Sequence, residues 1–550
     1  MIAQTEPSNV AVRFQTKDHE KEAILNRNGL IAVLLMVALL LLAGTAVVAE
    51  EGNYGGTFRC ALASEPGTLD MQMTTGVAAS IPARHVLEGL FAFDATYTPQ
   101  PMLAESWELS ADGTVATFHL RHGVLFHNGK EMTAADVLAS LERWGKYGLT
   151  SKALWAHVTD ISAPDDYTIV ITLDQPFAPM TTYLANIYGG PSIYPKEVVE
   201  AAGDQPIAPK DLIGTGPYKF VEWKAGDYIL LERFDKYSAV SAPPSGFAGK
   251  KVAYFDKLQF FFVPEDNARL VGVQAGTYDY AVNIPSDLLS TVKGDKNIVP
   301  IITNHPPIYP IMLVNNKKSL LATNYTLKQA ILAALDMTPI MAAGYGDPTF
   351  WSLDGSYFAP GIRWYTTAGT ELYNQHDTAK AKRLMKEASY SGEPIRMIVA
   401  QDMTAQYNQA LVVKDQLEKV GFNVDLQVYD KATFFARRNN VKDPQWELAF
   451  SYYSTTPDPS LVLMLNPNYA GWWNTPEIQK LREELNKITD FKARYAKWEE
   501  IMRLWYQQVP AIKFGDAYQL HLMRAEIGGG YGTEARPPML SPYFWNSWRK

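Results

Sequence analysis

Three histidines lie close together in the segment FHLRHGVLFH, residues 118–127. Imidazole nitrogens bind zinc and related metals when three or more ligands converge on one point. His119, His122 and His127 are three and five residues apart on a predicted strand and turn, so their rings do not share one face. We therefore expect surface or core histidines here, and the sequence predicts neither a metal site nor a cofactor.

Other patterns that could support catalysis are also incomplete. The turn GTGPY at 214–218 has two glycines, but it lacks the Lys-Ser or Lys-Thr of a phosphate-binding loop and is followed by a predicted strand. The chain has no GxSxG nucleophile motif, and its one cysteine, Cys60, lies in the first predicted strand. Adjacent carboxylates such as Asp165-Asp166 fit a solvated turn. We therefore predict that the protein is not an enzyme.

Aromatic residues surround one acidic loop in the C-terminal part of the chain. The cluster contains FSYY at 450–453, Pro-Asp-Pro at 457–459 and Trp472-Trp473. Aromatic side chains make good pocket walls, because they offer a large contact area at low entropic cost. Core packing is the competing interpretation for each ring. The cluster is therefore a candidate ligand-binding surface.

The composition limits the class of protein. The chain has 550 residues, of which 47% are hydrophobic and 20% charged, enough to bury a large core. Its net charge is −8, and no basic cluster is present that would bind nucleic acid. A single cysteine cannot form an internal disulfide and excludes cysteine-rich zinc sites.

The N-terminal segment predicts export. Residues 30–49, LIAVLLMVALLLLAGTAVVA, contain no charge and follow Arg27. This segment is either a cleaved signal peptide or a membrane anchor, since about 20 apolar residues span a bilayer. The small-residue ending before Glu50 favours cleavage, and the long apolar run favours an anchor. We expect the remaining chain in the periplasm, attached to the inner membrane if residues 30–49 are retained.

Strands and helices alternate in the rest of the chain. Short β-branched or aromatic runs bounded by Gly, Pro or Asp predict strands at 57–62, 117–120, 168–173, 228–232 and 258–263. Apolar residues at helical spacing predict helices at 327–335, 381–388, 411–418, 476–488 and 491–507. This alternation predicts the α/β class.

Specific residues mark the ends of several elements. Thr133 and Asp136 predict a capping pair at the start of a helix. Gly421 predicts a helix end, with a half-buried strand over 422–428 behind it. Proline-rich stretches at 206–209 and 305–310 predict breaks where the chain crosses between lobes.

The order of several motifs resembles one protein family. The motifs are GGTFRCALASEPGTLD (55–70), LEGLFAFD (87–94), the segment 101–144, IGTGPYKFVEWKAGDYILLERFDKY (213–237), FFFVPEDNARLVGVQAGTYDYA (260–281), LKQAILAALDMTPIMAAGYG (327–346) and AKAKRLMKEASYSG (379–392). Together they are similar to the family 5 extracellular solute-binding proteins, the peptide-binding components of bacterial ABC importers. The resemblance covers nearly all of the chain after the N-terminal segment.

The resemblance implies a two-lobed, three-domain α/β periplasmic binding protein of the type II-like kind, with a hinge between the lobes. A discontinuous domain I would comprise 51–90, 191–305 and 530–550. An inserted domain II would cover 91–190, and domain III 306–529. The ligand cleft would lie between domains I and III.

The resemblance also implies the ligand contacts. In the family's peptide binders the peptide lies extended between short backbone segments of the two lobes. The matching residues in this sequence are Thr75, Gly76 and Val77 in one lobe and Ser451, Tyr452 and Tyr453 in the other.

One position departs from the peptide binders. In those proteins an aspartate pairs with the peptide's amino terminus, and it lies four residues before a proline. Pro459 resembles that proline, so the matching position in this sequence is Thr455. A hydroxyl cannot neutralise a buried ammonium, whose desolvation would cost on the order of several kcal/mol. Asp458 could substitute after a loop shift, so both Thr455 and Asp458 are candidate ligand contacts.

The leading expectation is a substrate-binding protein that captures peptides or peptide-like solutes for an ABC transporter. Its partners would be the ligand and inner-membrane permease subunits with their cytoplasmic ATPases, and we expect a monomer that binds no nucleic acid. Two alternatives remain open: a binder of a non-peptide solute, such as an opine-like compound, a metal chelate or a sugar, and a membrane-anchored signalling or chemoreception module.

Overall fold

The computed structural model describes residues 52–529 and 542–550. The segment 30–49, interpreted above as a signal peptide or anchor, lies outside the described residues. None of the helices in the described ranges is both long and apolar enough to cross a membrane.

The described strands are short, except for one of 17 residues. They are β1 (Thr57–Leu62), β2 (Phe91–Phe93), β3 (Pro99–Pro101), β4 (Ala104–Leu109), β5 (Val115–Leu120), β6 (Val158–Asp165), β7 (Thr168–Leu173), β8 (Tyr218–Lys224), β9 (Tyr228–Arg233), β10 (Lys257–Phe262), β11 (Tyr280–Ile284), β12 (Ile298–Val314), β13 (Trp351–Ser352), β14 (Ile395–Ala400), β15 (Val424–Tyr429), β16 (Leu448–Ser454), β17 (Ala511–Lys513), β18 (Asp516–Arg524), β19 (Ile527–Gly529) and β20 (Ser547–Arg549).

The α-helices of the described ranges vary from single turns to 18 residues. They are α1 (Val77–Val86), α2 (Ala134–Tyr147), α3 (Lys152–Trp155), α4 (Met180–Leu184), α5 (Lys196–Ala202), α6 (Asp266–Gln274), α7 (Leu289–Val292), α8 (Tyr325–Ala334), α9 (Met337–Tyr345), α10 (Thr378–Glu387), α11 (Thr404–Val420), α12 (Lys431–Arg438), α13 (Pro476–Lys487) and α14 (Phe491–Gln508).

A mixed sheet of twelve strands runs through the described part of the chain. Its main path has the order β15-β14-β16-β12-β18-β11-β1-β10-β9-β8, and β13 and β17 pair at its side. We call the part with β1–β11 and α1–α7 lobe one, and the part with β14–β16 and α8–α14 lobe two. The α/β class predicted from the sequence is therefore confirmed.

The long strand β12 belongs to both lobes. Its first part, Ile298–Thr303, pairs with β18, which in turn pairs with β11 of lobe one. Its last part, Ile308–Val314, pairs with β16 of lobe two. The sheet therefore passes from one lobe to the other through β12 and β18.

The predicted break at 206–209 is wrong, whereas at 305–310 the chain does pass between the lobes, but without interrupting the strand. Residues 305–310 lie inside β12, where the register to β18 shifts between Thr303 and Ile308. Such an irregularity accommodates prolines in a sheet, because fewer ladder donors are required there. The stretch 206–209 does not cross between lobes, since the Ile207 amide donates to Asp70 of lobe one at 3.0 Å and Ile207 packs in that lobe's core.

Several other predictions about the elements are confirmed. β1 and β7 have the predicted bounds. The Thr133 amide at the start of α2 donates to Asp136 Oδ2 at 3.0 Å. Gly421 caps α11 in the left-handed conformation with φ 115°, which a residue without Cβ adopts freely.

The C-terminal segment 542–550 lies against lobe one. Its strand β20 pairs with β19, and the Asn546 amide donates to Val252 O at 2.7 Å. The Phe544 amide donates to Nε2 of His85 in α1 at 2.9 Å. The predicted three-domain division stays a prediction, although these contacts are consistent with a C-terminal return to domain I.

Candidate ligand-binding site

The first predicted ligand segment precedes α1. Gly76 is the N-cap of this helix, with extended backbone angles φ −70° and ψ 129°. Thr75, Gly76 and Val77 are all exposed, and the Gly76 amide donates to Thr74 Oγ1 at 3.1 Å. The segment is therefore an accessible extended stretch on lobe one.

The second predicted segment lies on β16. Ser451 is buried, Tyr453 is half-buried and Tyr452 is 47% exposed. On its inner side β16 pairs with β12 over all seven residues. On its outer side it pairs with β14 only at Leu448 and Ala449. Beyond Ala449 no strand of the described ranges covers the outer edge, so its backbone groups can accept a further extended chain.

Thr455 and Asp458 are both buried and bonded within the protein. Thr455 donates through Oγ1 to Pro307 O at 3.1 Å. Asp458 is 1% exposed and binds Arg494 through both carboxylate oxygens, at 2.6 and 2.7 Å. Its Oδ1 also accepts the Ser460 amide at 2.9 Å. Neither side chain therefore offers a free negative charge to a ligand ammonium in this structure.

The sequence did not single out Arg438, which lies beside Ser451. Arg438 ends α12 and is 6% exposed. Its Nη1 donates to Ser451 Oγ at 3.3 Å, and its Nε donates to Asn439 Oδ1 at 3.1 Å. The guanidinium lies 4.7 Å from the ring centroid of Phe435. Two consecutive arginines at 437–438 are the only sequence signal, and they do not show which one turns inward.

Tyrosines complete the surroundings of Ser451. The Tyr469 hydroxyl donates to the Tyr453 hydroxyl at 2.7 Å, and the Tyr469 ring centroid is 5.7 Å from the Arg438 guanidinium carbon. Burial raises the pKa of Tyr469, so its hydroxyl stays protonated at neutral pH. The aromatic cluster predicted from the sequence is thus partly core and partly a polar surface.

The two lobes also touch each other through loops. The Ala178 amide, before α4, donates to Asn486 O in α13 at 2.7 Å, and the Arg363 amide donates to Thr96 O at 3.0 Å. Tyr183 of α4 lies near Asp458 and Arg494, and burial raises its pKa. Among the described residues no hydrogen bond joins the segment 75–77 to 451–453.

The three histidines do not form a cluster. His119 lies 3.8 Å from Glu108, and the ring of His122 packs against that of Tyr167 at a tilt of 30°. His127 is instead tied to the GTGPY turn: Nδ1 accepts the Gly214 amide at 3.3 Å and Nε2 donates to Gly216 O at 3.0 Å. Burial lowers the pKa of His127 to about 4, so it is neutral at pH 7.

The glycines of the GTGPY turn permit close packing. A Cβ on Gly214 would come within 2.1 Å of Val86 O at the end of α1. The turn therefore lies against a helix C-terminus, where a phosphate is not stabilised.

A large groove lies elsewhere. An open groove of about 830 Å³ on lobe one is lined by residues that include Asp94, Glu105, Arg121 and His122. Its Asp94 and Arg121 already bond to neighbouring protein groups. None of the predicted ligand contacts lines it.

The sheet continues through two lobes, and an accessible segment on one lobe and an open strand edge on the other are available to a ligand. These features define a two-lobed periplasmic-type binding protein. Residues 98–474 match the family described as bacterial extracellular solute-binding proteins, family 5 Middle. The chain belongs to this family, as the resemblance predicts.

Known relatives match most of the chain. The sequence is 29% identical over 502 residues to a probable peptide ABC transporter periplasmic-binding protein, y4tO, of Sinorhizobium fredii, covering 88% of this chain and 91% of the relative. It is 26% identical to the oligopeptide-binding protein AppA of Bacillus subtilis, covering 84% and 85%. The fold is similar to that of the ABC transporter substrate-binding protein CtaP of Listeria monocytogenes, with a TM-score of 0.78, 23% identity and coverage of 90% and 100%.

Proposed function

We propose that this protein is the substrate-binding component of an ABC importer and captures peptides or peptide-like solutes for a permease. The observation that carries the proposal is the outer edge of β16, which has no strand partner beyond Ala449 in the described chain. An extended peptide could add to this edge through backbone hydrogen bonds. Relatives named as peptide-binding proteins support the same ligand class.

The proposed ligand lies between the two predicted segments. Thr75, Gly76 and Val77 would contact it from lobe one, and Ser451, Tyr452 and Tyr453 from lobe two. Because the ligand backbone supplies most of the contacts, side-chain preference would be weak. The exposed ring of Tyr452 would provide apolar area beside the ligand. Thr455 and Asp458 would shape the adjacent loop through their internal bonds.

The remaining parts of the proposal concern the whole chain. The domain boundaries 51–90 with 191–305 and 530–550, 91–190 and 306–529 would describe three domains with a hinge at β12 and β18. The protein would act in the periplasm as a monomer, deliver its ligand to permease subunits with their ATPases, and catalyse no reaction. N-terminal sequencing of the exported protein would show whether residues 30–49 are cleaved.

The direct test is binding of peptide mixtures, measured by calorimetry and thermal shift. A ligand that binds only the folded state raises Tm, and the rise increases with ligand concentration. We expect tri- to pentapeptide mixtures to raise Tm. Stabilisation by sugars or metal chelates without any effect of peptides would contradict the proposed ligand class.

A variant at Gly76 tests the location. Gly76→Leu would place a side chain in the proposed ligand path and should abolish peptide binding. Gly67→Leu is the matched control, because Gly67 is also exposed in lobe one and a Cβ there meets nothing within 4 Å. Equal peptide affinity in both variants would show that the ligand lies elsewhere.

A further inference from the structure

Arg438 is a buried cation whose described neighbours are neutral. Its guanidinium contacts Ser451, Asn439 and the aromatic rings of Phe435 and Tyr469. Within the described ranges no carboxylate lies within 4.0 Å of it, whereas Lys and Arg residues elsewhere in the chain form many such pairs. Burial of a charge without a counter-ion is costly in free energy, so this cation is poised to bind an anion.

Two other buried arginines of the described chain are paired with carboxylates. Arg143 binds Asp70 at 2.7 Å, and Arg494 binds Asp458 at 2.6 Å. The rings next to Arg438 stabilise the cation only in part, because a cation–π contact is weaker than a charge-assisted hydrogen bond. The difference between Arg438 and the other two is therefore its missing carboxylate.

The position of Arg438 connects it with the open edge of β16. Ser451 lies two residues beyond Ala449, where the pairing with β14 ends. Hydrogen-bond donors near that point include the Arg438 guanidinium and the hydroxyl groups of Ser451 and Tyr453. A carboxylate there could accept several hydrogen bonds at once.

Nearby acidic groups do not compensate this charge. The carboxylate of Asp458 is bound to Arg494, and position 455 carries a neutral threonine. The surface around Ser451 therefore favours a negative group of a ligand over an ammonium.

We propose that Arg438 is a subsite for a carboxylate, or a similar anionic group, of the bound ligand. This inference rests on the proposed function, because it assumes that the ligand occupies the open edge of β16. It names the ligand class as peptide-like compounds with an anionic group that reaches Ser451.

Two mixtures of the same tripeptides test the subsite, one with free C-terminal carboxylates and one with C-terminal amides. Each mixture is prepared in two versions, one whose peptides contain Glu and one in which Gln replaces every Glu. We expect a carboxylate, terminal or in a side chain, to tighten binding by about tenfold to a hundredfold. Equal binding by carboxylate and neutral mixtures overturns the inference and leaves the proposed function standing. Absence of binding by all mixtures overturns the proposed function and, with it, the inference.

Variants at two neighbouring arginines assign the effect. Arg438→Gln should remove the preference for the carboxylate, and Arg438→Lys should retain part of it. Arg437→Gln is the matched control, because Arg437 is adjacent but exposed. Retention of the full preference in Arg438→Gln would contradict the assignment.

Stability of the ligand-free protein separates a binding role from a structural one. Arg438→Met should leave Tm unchanged or raise it, because an uncompensated buried charge is removed. Arg143→Met should lower Tm, because Asp70 then loses its partner. A fall in Tm for Arg438→Met as large as that for Arg143→Met would show that Arg438 stabilises the fold, and would overturn the inference.

Discussion

The negative charge of Asp458 is neutralised within lobe two by Arg494. Its carboxylate and the Arg494 guanidinium form two parallel hydrogen bonds, and both side chains are almost fully buried. Arg494 also donates to Leu485 O at 2.8 Å, so the pair links the loop after β16 to α13 and α14. A bidentate pair of this kind positions a loop through geometry as well as charge.

We expect Asp458→Asn and Arg494→Met each to lower the free energy of unfolding by about 3–5 kcal/mol, because each leaves one buried charge unpaired. Urea denaturation measures the change. The double variant Asp458→Asn/Arg494→Met should lose less than the sum of the two single variants, since no charge is then left alone. Strict additivity would show that the pair does not act as a unit.

The same pair explains why position 458 is a poor site for a ligand amine. An incoming ammonium would have to compete with a guanidinium that already binds both carboxylate oxygens. Asp458 therefore forms an ion pair within the fold, and Arg438 beside Ser451 remains the proposed contact for the ligand.

At the scale of elements, His85 joins α1 to the C-terminal segment. Its Nδ1 donates to Ile81 O at 2.8 Å, so its Nε2 must be the acceptor for the Phe544 amide at 2.9 Å. Burial and, next, the charge of Arg84 lower the pKa of His85 to about 3. Protonation would remove the acceptor that holds Phe544.

This arrangement predicts a loss of stability in acid. The pKa of His85 is lower in the folded protein than the usual 6.5, so the unfolded chain binds more protons between pH 6.5 and about 3. The stabilising contribution is complete above pH 6.5 and decreases as the pH falls towards 3. We expect Tm of His85→Gln to decrease less than that of the natural protein between pH 6.5 and 4.

A surface histidine provides the control for this prediction. His119→Gln should retain the acid sensitivity that His85 confers, because this substitution leaves the contact between His85 and the Phe544 amide in place. Burial also lowers the pKa of His521 to about 3. The acid sensitivity that His521 contributes remains in the natural protein and in both variants. Identical pH profiles for His85→Gln and the natural protein would contradict the role of His85.

Local sequence patterns predicted several elements of the fold. β1, β7, α2 and α13 follow from alternation, helical spacing and caps, because these signals depend on residues close in sequence. The course of β12 could not be predicted, since its prolines indicate a break. The structure accommodates them through pairing with β18, more than 200 residues away.

The candidate site was predicted only in part, for a related reason. A resemblance to a family supplies the segments 75–77 and 451–453 as positions of backbone contact. It does not show which charged side chains around these segments are neutralised, because that depends on which carboxylates form ion pairs with which basic side chains. Arg438 is identified only from the structure, where its side chain is buried and no carboxylate of the described residues pairs with it.

At the scale of the whole molecule, the lobes are joined in two different ways. The continuous sheet through β12 and β18 connects them covalently and by ladder hydrogen bonds. Separate loop contacts, such as that of the Ala178 amide with Asn486 O, also join them. A sheet can bend at an irregularity while such loop contacts form and break, which is the requirement for a closing clamp.

We therefore expect the Ala178 contact to stabilise the closed arrangement. Ala178→Trp should hold the lobes apart, raise the radius of gyration of the protein in solution scattering and weaken peptide binding. Affinity falls because the apparent Kd equals the intrinsic Kd divided by the fraction of molecules in the binding-competent form. Ala225→Trp, in an exposed turn of lobe one, is the control and should change neither quantity. If Ala178→Trp leaves scattering and affinity unchanged, the contact does not take part in closure.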